Sequence, residues 1–352
     1  MERIQKTLQL LEEQDIDALL VTSESNVTYL SGFKGDSSRL LIANQSCYLI
    51  TDPRYTEQAK NECHKDITVF EWINDKRYNS LTYDFLIKSL LIQRIGFESN
   101  HITFQEYSEI HGEKVPTQNL VEQIRIIKSK DEIENLRKAS QISDKALENT
   151  LSSIKEGVME IDIVAELEYN LKKCGADNLS FETMVLSGKR TSLLHGKPGK
   201  KRVGNGDLIL FDFGALYNGY HADISRSFVL GQANDQQREI YDCINNAGKL
   251  AINSIKDGVE GKEIAEMVRK QIPSKYLEYY YPGIGHGVGL DIHEPPFIRD
   301  DASFTFQSGM VITMEPGIYI PEWGGLRIED SLLVTKDGCE PLNLFERNLI
   351  EL

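Results

Sequence analysis

A chain of 352 residues exceeds the usual size of a single core, so two domains are the first expectation. Lys+Arg 39 against Asp+Glu 54 leaves a formal charge of −15, which counts against nucleic acid as a partner, while the 40% apolar and 26% charged fractions suit an ordinary globular protein. Cys47, Cys63, Cys174, Cys243 and Cys339 form no C-x-x-C pair, the N-terminus has no apolar signal core, and no run approaches the roughly 20 apolar residues of a membrane span; a reducing cytoplasm, with no membrane partner, is expected.

Ile4, Leu8 and Leu11 recur at helical spacing, and Ala18-Leu19-Leu20-Val21 predicts a short buried strand. Further strands are expected at Leu40 to Ala43, Cys47 to Thr51 and Ile67 to Phe70, followed by a helical pattern from Asp84 to Gln93. This alternation predicts an α/β N-terminal domain built on a mixed sheet. A break is expected near Val115-Pro116-Thr117-Gln118, and the domain boundary falls at about residue 125, giving domains 1–125 and 126–352. A long helix then starts at Ser129 or Asp131, with Ile133, Leu136, Ile142, Ala146 and Leu147 as its apolar stripe. Glu160 to Cys174 predicts a second amphipathic helix, ended near Gly175.

Farther on, Asp207 to Phe213 and Gly219 to Leu230 read as two strands joined by a turn at Leu216-Tyr217-Asn218-Gly219. Met310 to Glu315 and Gly325 to Thr335 read as another pair, joined through Pro321-Glu322-Trp323-Gly324. Two hairpins, each flanked by helices, predict a pseudo-symmetric α+β core with its chemistry where they face each other. Each hairpin carries an acid on both arms: Asp212 and Asp223 on the first, Glu315 and Glu329 on the second. Burying ionised carboxylates without partners is very costly, and no matching cluster of Lys or Arg accompanies them. A divalent metal pair resolves that charge problem. Between the hairpins, Gly283 to Glu294 surrounds His286 with glycines, which let the backbone pass close to a metal while the imidazole supplies a nitrogen ligand. Four carboxylates and one imidazole form a hard donor set that suits Mn²⁺ first, with Co²⁺, Fe²⁺ or Zn²⁺ as alternatives. Two such ions about 3.5–4 Å apart activate water and polarise a carbonyl, the chemistry of metal-assisted hydrolysis.

These residues resemble the proline-specific branch of the pita-bread metallopeptidases, aminopeptidase P and prolidase. Asn26-Val27-Thr28-Tyr29-Leu30-Ser31-Gly32-Phe33 and Thr51-Asp52-Pro53-Arg54-Tyr55 resemble the family's creatinase-like N-terminal domain, and Ile126-Ile127-Lys128-Ser129 resembles the domain junction. The resemblance implies that Asp212 chelates one metal, that His286 and Glu315 bind the other, and that Asp223 and Glu329 bridge the two. It further implies a proton-shuttle role for Glu315, stabilisation of the tetrahedral intermediate by His293, a substrate-side role for His195 in Leu194-His195-Gly196-Lys197-Pro198, and a supporting role for Arg327. A homodimer acting on short peptides with proline second is expected, the N-terminal domain covering the site, dimerising, or reaching a partner's cleft.

The expected activity is cleavage of the Xaa-Pro bond at the N-terminus of short peptides, as in aminopeptidase P, with Xaa-Pro dipeptidase as the alternative. Methionine aminopeptidase is a remoter reading, opposed by the extra N-terminal domain and by Arg327. Creatinase shares the layout without the full carboxylate set, and a catalytically silent binding protein would have no need of every ligand position. A dipeptidase must hold its substrate's free carboxylate, normally with a cation. Arg299 lies near the region where prolidases place one, although a surface pair with Asp300 or Asp301 is the simpler reading.

Overall fold

The computed structural model describes residues 2–43, 46–71 and 82–352, and the chain divides into two compact units, Met1–Arg125 and Ile126–Leu352. The first unit is built on a six-stranded mixed sheet. Its order is Ile67–Glu71, Ser46–Thr51, Ser38–Ala43, Ala18–Val21, Arg94–Glu98, Glu113–Thr117. Ala18–Val21 lies centrally, antiparallel to Ser38–Ala43 and parallel to Arg94–Glu98, which is why all four of its residues are apolar and buried. The expected break at Val115–Gln118 is not one: Val115, Pro116 and Thr117 belong to the edge strand Glu113–Thr117, where a proline costs no ladder bond on its open side.

The second unit has two halves of similar construction. In the first half, helices Lys130–Leu151 and Glu160–Lys173 pack Ala146, Leu147, Ile163 and Leu167 against Phe211, Phe213 and Ile224 of a four-stranded sheet. Ser129 caps the longer helix, accepting from the Glu132 N–H while Glu132 reaches back to the Ser129 N–H at 2.9 Å. In the second half, helices Asp235–Ser254 and Gly261–Gln271 bury Ile240, Ile244, Ile264 and Val268 against Ile312, Met314 and Leu332 of a five-stranded sheet. Among the described residues no helix is long and apolar enough to cross a membrane.

Both hairpins differ from the expected continuous arms. In the first, Leu208–Phe213 pairs with Ile224–Val229 in the four-stranded sheet, whereas Ala215–Tyr217 and Tyr220–His221 form a separate small ribbon, extended to three strands by Asn178–Leu179. That ribbon turns at Asn218 and Gly219, both at positive φ as a two-residue hairpin turn requires. In the second, Val311–Met314 pairs with Asp330–Val334, and Gly317–Ile320 pairs with Gly324–Arg327 in a ribbon of its own. The chain bends at Gly214, where a Cβ would lie 1.8 Å from the Ala222 carbonyl oxygen, and after Glu315, where Pro316 cannot continue the ladder. Asp223, Glu315 and Glu329 all sit in these breaks between strands.

Candidate metal centre

The two hairpins meet at a bridge between Ser225 and Glu329, whose N–H donates to the Ser225 carbonyl at 3.1 Å. Around that seam lies a cavity of about 360 Å³. Its lining includes all eight residues singled out in the sequence: His195, Asp212, Asp223, His286, His293, Glu315, Arg327 and Glu329. Asp212 reaches it from the end of its strand, the other three acids from the strand breaks, and His286 from the short strand Gly285–Gly287. His286 Nε2 lies 3.5 Å from Asp223 Oδ2 and 3.4 Å from Glu315 Oε1, while its Nδ1 lies 3.0 Å from the Gly287 carbonyl oxygen. The second ring nitrogen is thereby tied to backbone, which aims Nε2 at the acids. Ligand atoms of Asp223, His286 and Glu329 all fall within 4.8 Å of one another.

The electrostatics are unfavourable for the protein by itself. Four carboxylates face the single guanidinium of Arg327, which is spent on Asp212 Oδ2, on Ser225 Oγ at 2.7 Å and on Tyr319 Oη at 2.8 Å. Burial holds Asp223 and Glu329 well above the ordinary carboxylate range, and the negative charges of their neighbours add to it. Burial also pushes Glu315 up to about 7, against the pull of Arg327. His286 and His293 are lowered, again by burial first. Asp223 Oδ1 is buried with no hydrogen-bond partner among the described residues. A buried carboxylate oxygen left unpaired, inside a set of oxygen donors with one imidazole nitrogen, fits a hard divalent cation.

Ser225 escaped the sequence reading and is the hub of the site. Its hydroxyl donates to Glu329 Oε2 at 2.6 Å, lies 3.2 Å from Asp212 Oδ1 and accepts from Arg327 Nε. The available signal was the strand Ile224–Val229, buried at every position yet carrying Ser225, Arg226 and Ser227. Thr313, which donates to Glu315 Oε1 at 3.3 Å and accepts from the His286 N–H at 3.1 Å, was missed in the same way. Arg299, considered above as a carboxylate anchor, lies outside the cavity and pairs with Asp301 at 2.7 Å. His221, two residues before Asp223, also lies outside it, with Nδ1 3.0 Å from both the hydroxyl and the carbonyl oxygen of Ser180. In the run Tyr279-Tyr280-Tyr281, Tyr281 lines the cavity and Tyr280 joins the core.

The profile of metallopeptidase family M24 matches residues 134–336, and that of the creatinase/prolidase N-terminal domain matches residues 3–127. The chain belongs to metallopeptidase family M24. This M24 peptidase is 37% identical to an Xaa-Pro dipeptidase of Pyrococcus horikoshii over 360 residues, covering 99% of both chains. It is 39% identical to an uncharacterised peptidase of Bacillus subtilis, again over 99% of each chain. Among solved structures, the Xaa-Pro dipeptidase from Bacillus anthracis superposes with a TM-score of 0.95 at 38% identity, covering 100% of this chain and 99% of that one. An X-Pro aminopeptidase from Thermotoga maritima superposes at 0.90 with 34% identity and 99% coverage of both. The catalytic unit is thus the pita-bread fold of this family, preceded by a creatinase-type α/β domain.

Proposed function

We propose that this M24 peptidase hydrolyses Xaa-Pro dipeptides using two divalent metal ions, Mn²⁺ being the first to test. One observation carries the reading: Asp212, Asp223, Glu315, Glu329 and His286 line one cavity, at the small end of the roughly 300–1,000 Å³ range of ligand pockets, in which an oxygen of Asp223 is buried and unpaired. Relatives named dipeptidase or prolidase, at 35–38% identity along the whole chain, support dipeptidase over the aminopeptidase activity first expected.

Asp212, Asp223, His286, Glu315 and Glu329 would hold the ions, which supply an activated water and a polarised carbonyl when bound. Arg327 and Ser225 fix the carboxylates of Asp212 and Glu329, so their work is orientation of ligands. Glu315 takes up the proton of the attacking water and returns it to the leaving proline nitrogen. His293 and His195, on the cavity wall, donate hydrogen bonds to the carbonyl oxygen as it gains charge. Aminopeptidase action has one observation in its favour: Arg299, the cation considered for a dipeptide's carboxylate, is turned to Asp301 and does not line the cavity.

The test is hydrolysis by metal-stripped protein re-supplied separately with Mn²⁺, Co²⁺ and Zn²⁺. Metal-restored cleavage of Xaa-Pro alone is the expected result. Equal or better cleavage of Xaa-Pro-Yaa would make it an aminopeptidase, preference for Met-Ala-Yaa would move it to the methionine branch, and silence with every metal would overturn the proposal.

A further inference from the structure

The segment from Gly287 to His293 joins the two cavity histidines, and a buried ion pair holds it in shape. Lys128 Nζ donates to Glu294 Oε1 at 2.7 Å, with the two side chains 1% and 3% exposed. Lys128 is itself fixed, because its N–H donates to the Gly309 carbonyl at 2.9 Å. Glu294 Oε2 accepts from the Asp291 N–H at 3.4 Å. A Cβ on Gly289 would lie 2.6 Å from Glu294 Oε1, so the carboxylate fills the inside of the loop and glycine is what admits it. The Gly289 carbonyl in turn accepts from the His221 N–H at 2.9 Å.

The two histidines are therefore held by different means. His286 is fixed by its sheet: its N–H donates to Thr313 Oγ1 at 3.1 Å and its neighbour Gly287 pairs with Ile312. His293 lies at the far end of the loop, directly before Glu294, with its ring edge-on to His286 at 4.4 Å between centroids. A buried ion pair adds little net stability over an apolar pair of the same size, so its contribution here is geometric.

We propose that the Lys128–Glu294 pair is a positioning device that fixes the Gly287–His293 loop and, through it, the His293 ring over the site. The inference rests on the role given to His293 above. Removing Lys128 by itself would strand a buried charge and endanger the fold, so two other variants carry the test. Glu294→Gln keeps the shape and still offers Lys128 Nζ an amide oxygen to donate to, although it removes the counter-charge, and Lys128→Met with Glu294→Met removes both charges together. Each is examined as full-length, metal-loaded protein for metal content, for kcat and KM on an Xaa-Pro dipeptide, and for amide hydrogen exchange.

In the double variant we expect wild-type metal content, KM within about threefold, kcat lower by roughly 10²-fold, and exchange across 287–293 at least about tenfold faster with the flanking strands unchanged. Glu294→Gln should show the same pattern at smaller amplitude. A folded, metal-loaded double variant with wild-type kcat, or with unchanged exchange in the loop, overturns the proposal. If the unaltered protein cleaves no Xaa-Pro peptide, the functional reading falls instead, and the exchange data still decide whether the pair anchors the loop.

Discussion

Replacing Arg226 with Met tests what ties the two hairpins together. This guanidinium is 1% exposed and makes five hydrogen bonds. Nη1 donates to the carbonyls of Ser225 at 3.0 Å and Glu329 at 2.5 Å, one from each side of the seam. Nη2 donates to Asp330 Oδ1 at 2.6 Å and to the Phe345 carbonyl at 2.7 Å, and Nε to the Glu346 carbonyl at 3.1 Å. Breaking a buried ion pair costs about 3–5 kcal/mol. Arg347 still partners Asp330, which favours the lower figure, while four carbonyls lose a donor, which favours the higher. A loss of about 4 kcal/mol corresponds to a melting point lower by on the order of 10 °C for a unit of this size. Circular dichroism of the metal-loaded protein reads that shift, and a metal titration of the same variant should show affinity lower by about 10–100-fold. A drop of less than about 3 °C with metal affinity intact would refute the idea that Arg226 clamps the seam.

Glu315→Ala should leave a folded protein with kcat/KM lower by about 10³-fold, and its metal-free form should melt no lower than the wild type at about pH 8, because a crowded charge is gone. In the metal-free wild type, the raised carboxyls of Asp223, Glu329 and Glu315 contribute stability at acid pH that is lost as pH rises through their folded values. The lowered imidazoles of His286 and His293 work oppositely, gaining stability as pH rises through about 6.5. As pH rises from about 6.5 to about 7.5, through the Glu315 value of about 7, the metal-free protein should therefore lose melting temperature relative to the loaded protein, and parallel curves would count against the crowded site. Gly214→Ala should destabilise by about 3 kcal/mol in urea unfolding, since the new Cβ meets the Ala222 carbonyl oxygen. Arg299→Ala should leave the dipeptide KM within about twofold, and a larger rise would make Arg299 the carboxylate anchor.

Asp212 and Glu315 were legible because each follows an apolar run, Leu208-Ile209-Leu210-Phe211-Asp212 and Val311-Ile312-Thr313-Met314-Glu315, and Asp223 and Glu329 because each lies on the other arm of the same hairpin. The central strand Ala18–Val21 and the helix from Lys130 were legible for equally local reasons: an apolar run and a capping serine. The bends in the hairpins were not, since Gly214 is informative only once the Ala222 carbonyl is beside it. Edge position hid the strand Glu113–Thr117, whose proline reads as a breaker unless one knows that one side of the strand is open. Ser225 looks like any strand serine until Arg327 arrives from 102 residues away, and Lys128 finds Glu294 across a separation of 166. What pairs across such distances is set by packing, and single-residue patterns do not record it.

The seam at Ser225 and Glu329 also sets when the site can come into being. Its two sides lie 104 residues apart, and Arg226 is tied to Phe345 and Glu346, later still in the sequence. A chain emerging from the ribosome exposes Asp212 and Asp223 long before Glu329 and its clamp exist. Metal would then be held in this arrangement only once residues as far as Glu329 and its clamp at Phe345 and Glu346 have been made, so that loading the site follows the synthesis of both hairpins.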